Sequence, residues 1–259
     1  MPVQPLEPRR LYRQIADQLR SLIAAGEWPV GGRLPAERDL AGQLGVSRPS
    51  VREALIALEV EGLVAVRPGS GIEVVAREAP ALSARLDLDF GPFEIIRARQ
   101  LVECELAARA AQTLDAAGVL ALRQTLDWMA ADMAQGRPPV RGDRAFHLRI
   151  AEAAGNGPLL RTVTELFDER NNPLFEQLGH HFETAPTWRL ALAEHQAVID
   201  AIALADADAA RAAMHQHLQN SHDRFAGHWP PASPPASLPV SPPASPPPPS
   251  AAHPARTAP

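Results

Sequence analysis

The chain has 259 residues, 46% of them hydrophobic, which is enough for one large or two ordinary domains with separate cores. Its single cysteine, Cys104, excludes an internal disulfide framework and a zinc site of several thiolates; all 25 basic residues are arginine, so a P-loop lysine and Schiff-base chemistry are excluded as well. No run of the roughly 18 apolar residues needed to cross a bilayer occurs, and the opening MPVQPLEPRRLYRQ lacks a signal-peptide core. A soluble, cytoplasmic protein without a membrane partner is expected. The net charge of -5 is uneven: residues 1–76 balance nine arginines against nine acidic residues, so the front repels a polyanion less than the back.

In chain order, Leu11, Ile15, Leu19, Leu22 and Ile23 recur at three- and four-residue spacing and predict an amphipathic helix that stops near 26–29. A second helix opens at 35–38, carries Leu40 and Leu44 on one face and ends at Gly45, a residue suited to a left-handed turn. Ser47 can cap a third, with Pro49 tolerated in its first turn, Val51, Leu55 and Leu58 as its buried stripe, and Gly62 closing it. The string LVAVRPGSGIEVV then gives two apolar runs around a Pro-Gly-Ser-Gly turn, a two-stranded hairpin. This order predicts a winged helix-turn-helix domain over 1–76, followed by a linker over 77–91.

From 92 to 229 the pattern is helical without a convincing strand, with helices expected at 93–113, 116–134, 141–154, 158–182, 187–204 and 206–226. This is an all-α bundle domain. The last segment, 230–259, holds 13 of the 27 prolines and almost no large apolar side chains, and is expected to be a disordered tail biased to polyproline II. The fold class is therefore mostly α, a winged module followed by a helical bundle.

A helix that enters the major groove needs short polar side chains and arginines near its N-terminus, because arginine bonds guanine bidentately. Ser47-Arg48-Pro49-Ser50-Val51-Arg52 supplies this: Arg48 projects from the first turn, and Arg52 follows one turn later. Arg38 can hold a phosphate, and Arg67 can place a wing against a groove. Singly, each arginine also suits a solvated ion pair with Glu37, Glu53, Glu59 or Glu61; together on this helix order they favour double-stranded DNA.

The segments LPAERDLA and GVSRPSVREAL, with the glycine-bearing wing, closely resemble the DNA-binding domain of the GntR family of bacterial transcription regulators. The resemblance implies that Arg38, Arg48 and Arg52 contact DNA, that Ser47, Pro49 and Ser50 line the groove, and that Gly69 sits at the wing tip. Prolines at 49 and 68 remove backbone donors present in relatives.

In the helical domain Asp143 and His147 are four residues apart, hence on one helix face, while His195 and His217 come from two later helices. Such a donor set suits zinc, nickel, manganese or iron. Spacing alone leaves two readings open, since an Asp-His pair at this separation is more usually a surface interaction. RAFHLRIAEAAGNGPLL and EHQAVIDAIALADADAARAAMHQHL look like the FCD domain of the FadR-type branch of the same family. That likeness implies a divalent metal, zinc first among the candidates, held by Asp143, His147, His195 and His217, with an organic acid bound to it. It also implies that Arg99 binds the acid's carboxylate, although an intrahelical pair with Glu103 fits Arg99 equally; Arg97 stands where many relatives are acidic. Asn156 either caps the next helix or lines the effector cavity.

The stretch ERNNPLFEQLGHHFET with Trp188 resembles regulators of sugar-acid, especially hexuronate, catabolism. The resemblance implies a homodimeric regulator, a repressor in most relatives, that binds a palindromic operator under control of a small organic acid. Two other classes use the same donors: a metal-dependent hydrolase or lyase, with Glu152 or Glu194 as acid-base candidates by neighbourhood, and a direct metal sensor.

Overall fold

A computed structural model describes residues 10–67, 71–79 and 90–227. Gly69, most of the expected linker and the proline-rich 230–259 lie outside the described residues. Among those described, no helix is long and apolar enough to cross a membrane.

The winged module forms as its local chemistry dictates. Helix α1 (Leu11–Ala25) ends at Gly26 and α2 (Glu37–Leu44) at Gly45, both glycines left-handed with φ of 83° and 67°. The α1 stripe is rotated slightly from expectation: Tyr12 is buried, whereas Leu11 and Leu22 are exposed. Helix α3 (Arg48–Val60) starts at Ser47, whose hydroxyl accepts from the Ser50 N–H, with Pro49 in the first turn where no donor is needed. Strands β1 (Val64–Arg67) and β2 (Gly71–Val74) pair antiparallel with Val64 opposite Val74.

The remaining helices are α4 (Pro92–Thr113), α5 (Ala116–Ala134), α6 (Val140–Ala153), α7 (Gly157–Asp168), α8 (Pro173–Phe182), α9 (Ala185–Ala203) and α10 (Ala207–Ala226). The single helix expected over 158–182 is two helices. Asn172 accepts from the N–H groups of Leu174 and Phe175, and Pro173 cannot continue an earlier helix, so α8 begins afresh there. A bundle core of α4, α5, α6, α9 and α10 encloses Leu106, Leu122, Phe146, Ile150, Val198 and Met214.

The two modules share a second core. Val51, Leu55 and Leu58 of α3 pack in one cluster with Phe93, Ile96, Leu174, Leu178, Phe182 and Phe225 from α4, α8 and α10. This docking explains why α3 is buried over eight consecutive residues, Val51 to Leu58, more than a one-sided stripe requires. Glu53 accepts from the Phe93 N–H at 2.9 Å and His181 lies 2.6 Å from Glu59. A Cβ added at Gly91 would stand 2.6 Å from the Glu53 carboxylate and would have to push it off the Phe93 N–H.

Candidate metal-binding chamber and DNA-reading helix

Helix α6 presents Asp143 and His147 on one face, α9 contributes His195 and α10 contributes His217. One donor atom from each lies within 4.8 Å of the others, and the three imidazoles are buried. Donors on one ion at about 2.0–2.1 Å are at most about 4.2 Å apart, so a small inward movement closes this set around a cation.

Two carboxylates hold the rings from behind. Glu103 bonds His147 Nδ1, and Glu194 lies 3.0 Å from His217 Nδ1. Both bonds leave Nε2 of the ring for the centre, the arrangement that fixes tautomer and orientation in metal sites. Burial alone would raise the Glu103 and Glu194 pKa values. Arg99 and His147 outweigh it at Glu103, hydrogen bonds from His217 and Arg224 outweigh it at Glu194, and both carboxyls are held down at about 2. Burial also lowers His195, and burial with the nearby His195 lowers His217 to about 3. Asp143 is driven well below the usual range because Arg170, 2.8 Å away, outweighs its burial. Ionised carboxylate and neutral imidazole are the forms that ligate metal.

The donor set passes a stricter test. Six buried side-chain nitrogen atoms among the described residues lack an aligned hydrogen-bond partner, and five of them belong to Arg99, His147, Trp188 and His195. His195 Nε2 is 3.2 Å and His147 Nε2 3.6 Å from Asp143, close enough for attraction but unaligned for a bond. Leaving a buried donor or acceptor unsatisfied costs roughly 1–3 kcal/mol, so such a concentration marks a place built for something else to bind. Arg99, Asp143, Arg170, Phe182, Glu183, Trp188, His195, His217 and Arg224 line one chamber with a cavity volume of about 70 Å³.

Of the sequence-predicted effector residues, Arg99 makes the intrahelical pair with Glu103 and also borders the chamber. Its Nε bonds Glu103 at 2.7 Å while Nη2 is left unpartnered at the chamber wall. Asn156 takes the capping alternative: it caps α7 by accepting from the Leu159 N–H at 3.2 Å, and it borders a separate depression with Leu101 and Leu106. The acid-base candidate Glu152 borders another depression, and Glu194 is spent on His217, Asn220 and Arg224. Sequence reasoning missed the positioning roles of Glu103, Glu194 and Arg170; only the Arg99-Glu103 spacing signalled any of them.

On the winged module, Ser47 and Arg38 are exposed, and Arg48, Pro49 and Ser50 are partly so. Arg67 is exposed and pairs with Glu73 at 2.9 Å. Arg52 departs from expectation. Its side chain is 0% exposed, donates to Glu37 at 2.8 Å and to the carbonyl of Phe225, and lies 5.0 Å over the Phe182 ring. Glu37 also takes Arg48 at 3.0 Å. The packing of α3 against α8 and α10 thus turns Arg52 away from any groove in this arrangement, although burial lowers its pKa only against the opposing pull of Glu37.

Comparison with known proteins gives the lineage. Residues 11–74 match the model of bacterial regulatory proteins of the gntR family, and residues 94–220 match the FCD domain. The chain is 37% identical over 223 residues to the Uxu operon transcriptional regulator of Escherichia coli strain K12, covering 83% of this chain and 87% of that one. It is 38% identical over 225 residues to the Exu regulon transcriptional regulator of the same strain, covering 83% and 84%. The HTH-type transcriptional repressor NanR of Klebsiella aerogenes is 30% identical over 228 residues, covering 84% and 86%.

Proposed function

The chain belongs to the FadR-type, FCD-bearing branch of the GntR family and is a DNA-binding transcription regulator under small-molecule control, not an enzyme; from that premise we propose that its effector is a hexuronate-type sugar acid bound at a divalent cation. The DNA domain is 1–76 and the effector domain 92–229. Asp143, His147, His195 and His217 hold the cation, zinc first among its candidates. When bound, it supplies positive charge and open positions for carboxylate and hydroxyl oxygens. Arg99 Nη2 takes the acid's carboxylate, a role for which a planar guanidinium fixed by Glu103 is well shaped. The Uxu and Exu relatives direct the effector class toward hexuronates.

The observation that supports this reading is the gathering of unpartnered nitrogens at and beside one chamber, because a cation would take one each from His147 and His195 and the acid would take Arg99 Nη2. The DNA-bound form is a homodimer on a palindrome, with Arg38, Ser47, Arg48, Pro49 and Ser50 at the groove and Arg52 joining once released. Coupling follows from shared walls: Phe182 and Phe225 line the chamber and also touch Arg52. An acid that prefers one placement of these rings shifts the population in which Arg52 is available.

Isothermal titration of zinc-loaded full-length protein with D-galacturonate tests the site. Saturable binding that is lost in His147→Ala is expected. Equal heats for wild type and variant remove the cation from acid recognition.

A further inference from the structure

A cation would take one ring nitrogen each of His147 and His195, and the acid's carboxylate would take Arg99 Nη2, which leaves the second His195 nitrogen and the indole of Trp188 without a partner. The indole Nε1 is buried without an aligned acceptor, although it is near enough to the Glu183 carboxylate to stabilise its charged form, and both residues line the chamber as well as the depression beside His180. Glu183 ends α8, where its N–H is fixed to the Gly179 carbonyl at 2.7 Å. Trp188 sits in the first turn of α9, a turn fastened by reciprocal bonds between Thr184 and Thr187 and by Pro186. Both side chains therefore project from rigid positions into the same chamber. Arg170 gives Nη1 to Asp143 at 2.8 Å and acts on Glu183 through its charge alone, so the Glu183 carboxylate, whose pKa burial raises against that attraction, keeps room for a further donor.

A buried N–H beside a carboxylate, misaligned with it, is a slot for a group that both accepts and donates. A hydroxyl does both. A methylene satisfies neither side, and a second carboxylate accepts from Trp188 but repels Glu183. We infer that Trp188 and Glu183 form a hydroxyl-reading pair that makes the effector site selective for polyhydroxylated acids over apolar acids of the same size. The pair rests on the chamber being the effector site. It differs from Arg99 and the metal ligands in discriminating the body of the acid rather than its carboxylate.

The test compares D-galacturonate with cyclohexanecarboxylate, a six-membered ring acid without hydroxyls, by isothermal titration of zinc-loaded full-length protein. Trp188→Phe keeps an aromatic side chain and removes the pyrrole ring with its N–H; Glu183→Gln keeps shape and removes charge. Each variant is expected to weaken galacturonate binding at least tenfold, to leave cyclohexanecarboxylate within twofold, and to retain wild-type zinc content and thermal stability. A site that discriminates by hydroxyl pairing loses selectivity in this manner, whereas a merely structural residue weakens both acids alike. Parallel loss of both acids, or unchanged galacturonate binding in both variants, overturns the pair alone. A wild type that binds neither acid overturns the effector reading and the pair with it.

Discussion

The guanidinium of Arg52 donates to the main-chain carbonyl of Phe225, joining the groove-reading helix to the last helix of the bundle across 173 residues of sequence. Phe182 lies under the same guanidinium at 5.0 Å. Both aromatic residues also line the chamber that holds the Asp-His cluster. Arg52 and the chamber are thus separated by one layer of side chains, and Arg52 cannot serve both the bundle and the DNA contact proposed for it at once.

Weakening this hold should favour DNA. Phe182→Leu keeps apolar volume but removes the ring face, forfeiting about 1 kcal/mol of cation-π attraction. Operator affinity of the effector-free protein should rise roughly fivefold by fluorescence anisotropy. An unchanged or weaker affinity would show that the docked arrangement does not limit binding. Arg52→Ala should instead lower specific affinity by about 1–3 kcal/mol, since the contact itself is gone.

Metal dependence is expected in stability as well as in composition. His147→Ala and His195→Ala should purify with much less zinc by elemental analysis than wild type. Chelation of the wild type should remove about 2.7 kcal/mol if zinc stood at a hundredfold over its Kd, a fall of about 5–10 °C in Tm. Stoichiometric zinc in both variants would dispose of the site.

Glu103 is a positioning residue for His147, fixed between that ring and Arg99. Glu103→Gln should weaken zinc binding about 10- to 100-fold while Asp143, His195 and His217 remain. Competition with a chromophoric chelator measures this directly, and wild-type zinc affinity in the variant would reduce Glu103 to a partner of Arg99.

The helix order of both modules was legible because capping residues, glycine stops and apolar spacing are local. The Asp-His set was half legible: Asp143 and His147 share a helix turn, but only resemblance joined them to His195 and His217. The break before Pro173 had a local signal in Asn172-Pro173 that a long apolar period concealed. Arg52 could not be placed from sequence, since its burial depends on α3 meeting Phe182 and Phe225, over a hundred residues away. Asn156 satisfied its local rule, the cap, and nothing beyond it.

Glu53 should make the docked fold sensitive to pH. Burial at 8% exposure pushes its pKa up from 4.5 to about 7, so the folded protein binds this proton more tightly than the unfolded chain. Its contribution is full below the unfolded pKa and is lost as pH rises through the window from about 4.5 to about 7. The loss is roughly 3 kcal/mol at most. Glu53→Gln keeps an acceptor for the Phe93 N–H and should flatten the fall in Tm across that window; parallel pH profiles for variant and wild type would contradict it.

An acid held at the Asp-His chamber is expected to shift α3 and with it the affinity for DNA. The most direct test is the affinity of zinc-loaded full-length protein for an operator selected from a random pool, measured by fluorescence anisotropy with and without saturating D-galacturonate. A change of fivefold or more that disappears in His147→Ala is predicted. Identical affinities with and without the acid, in a protein shown by titration to bind it, would contradict the account.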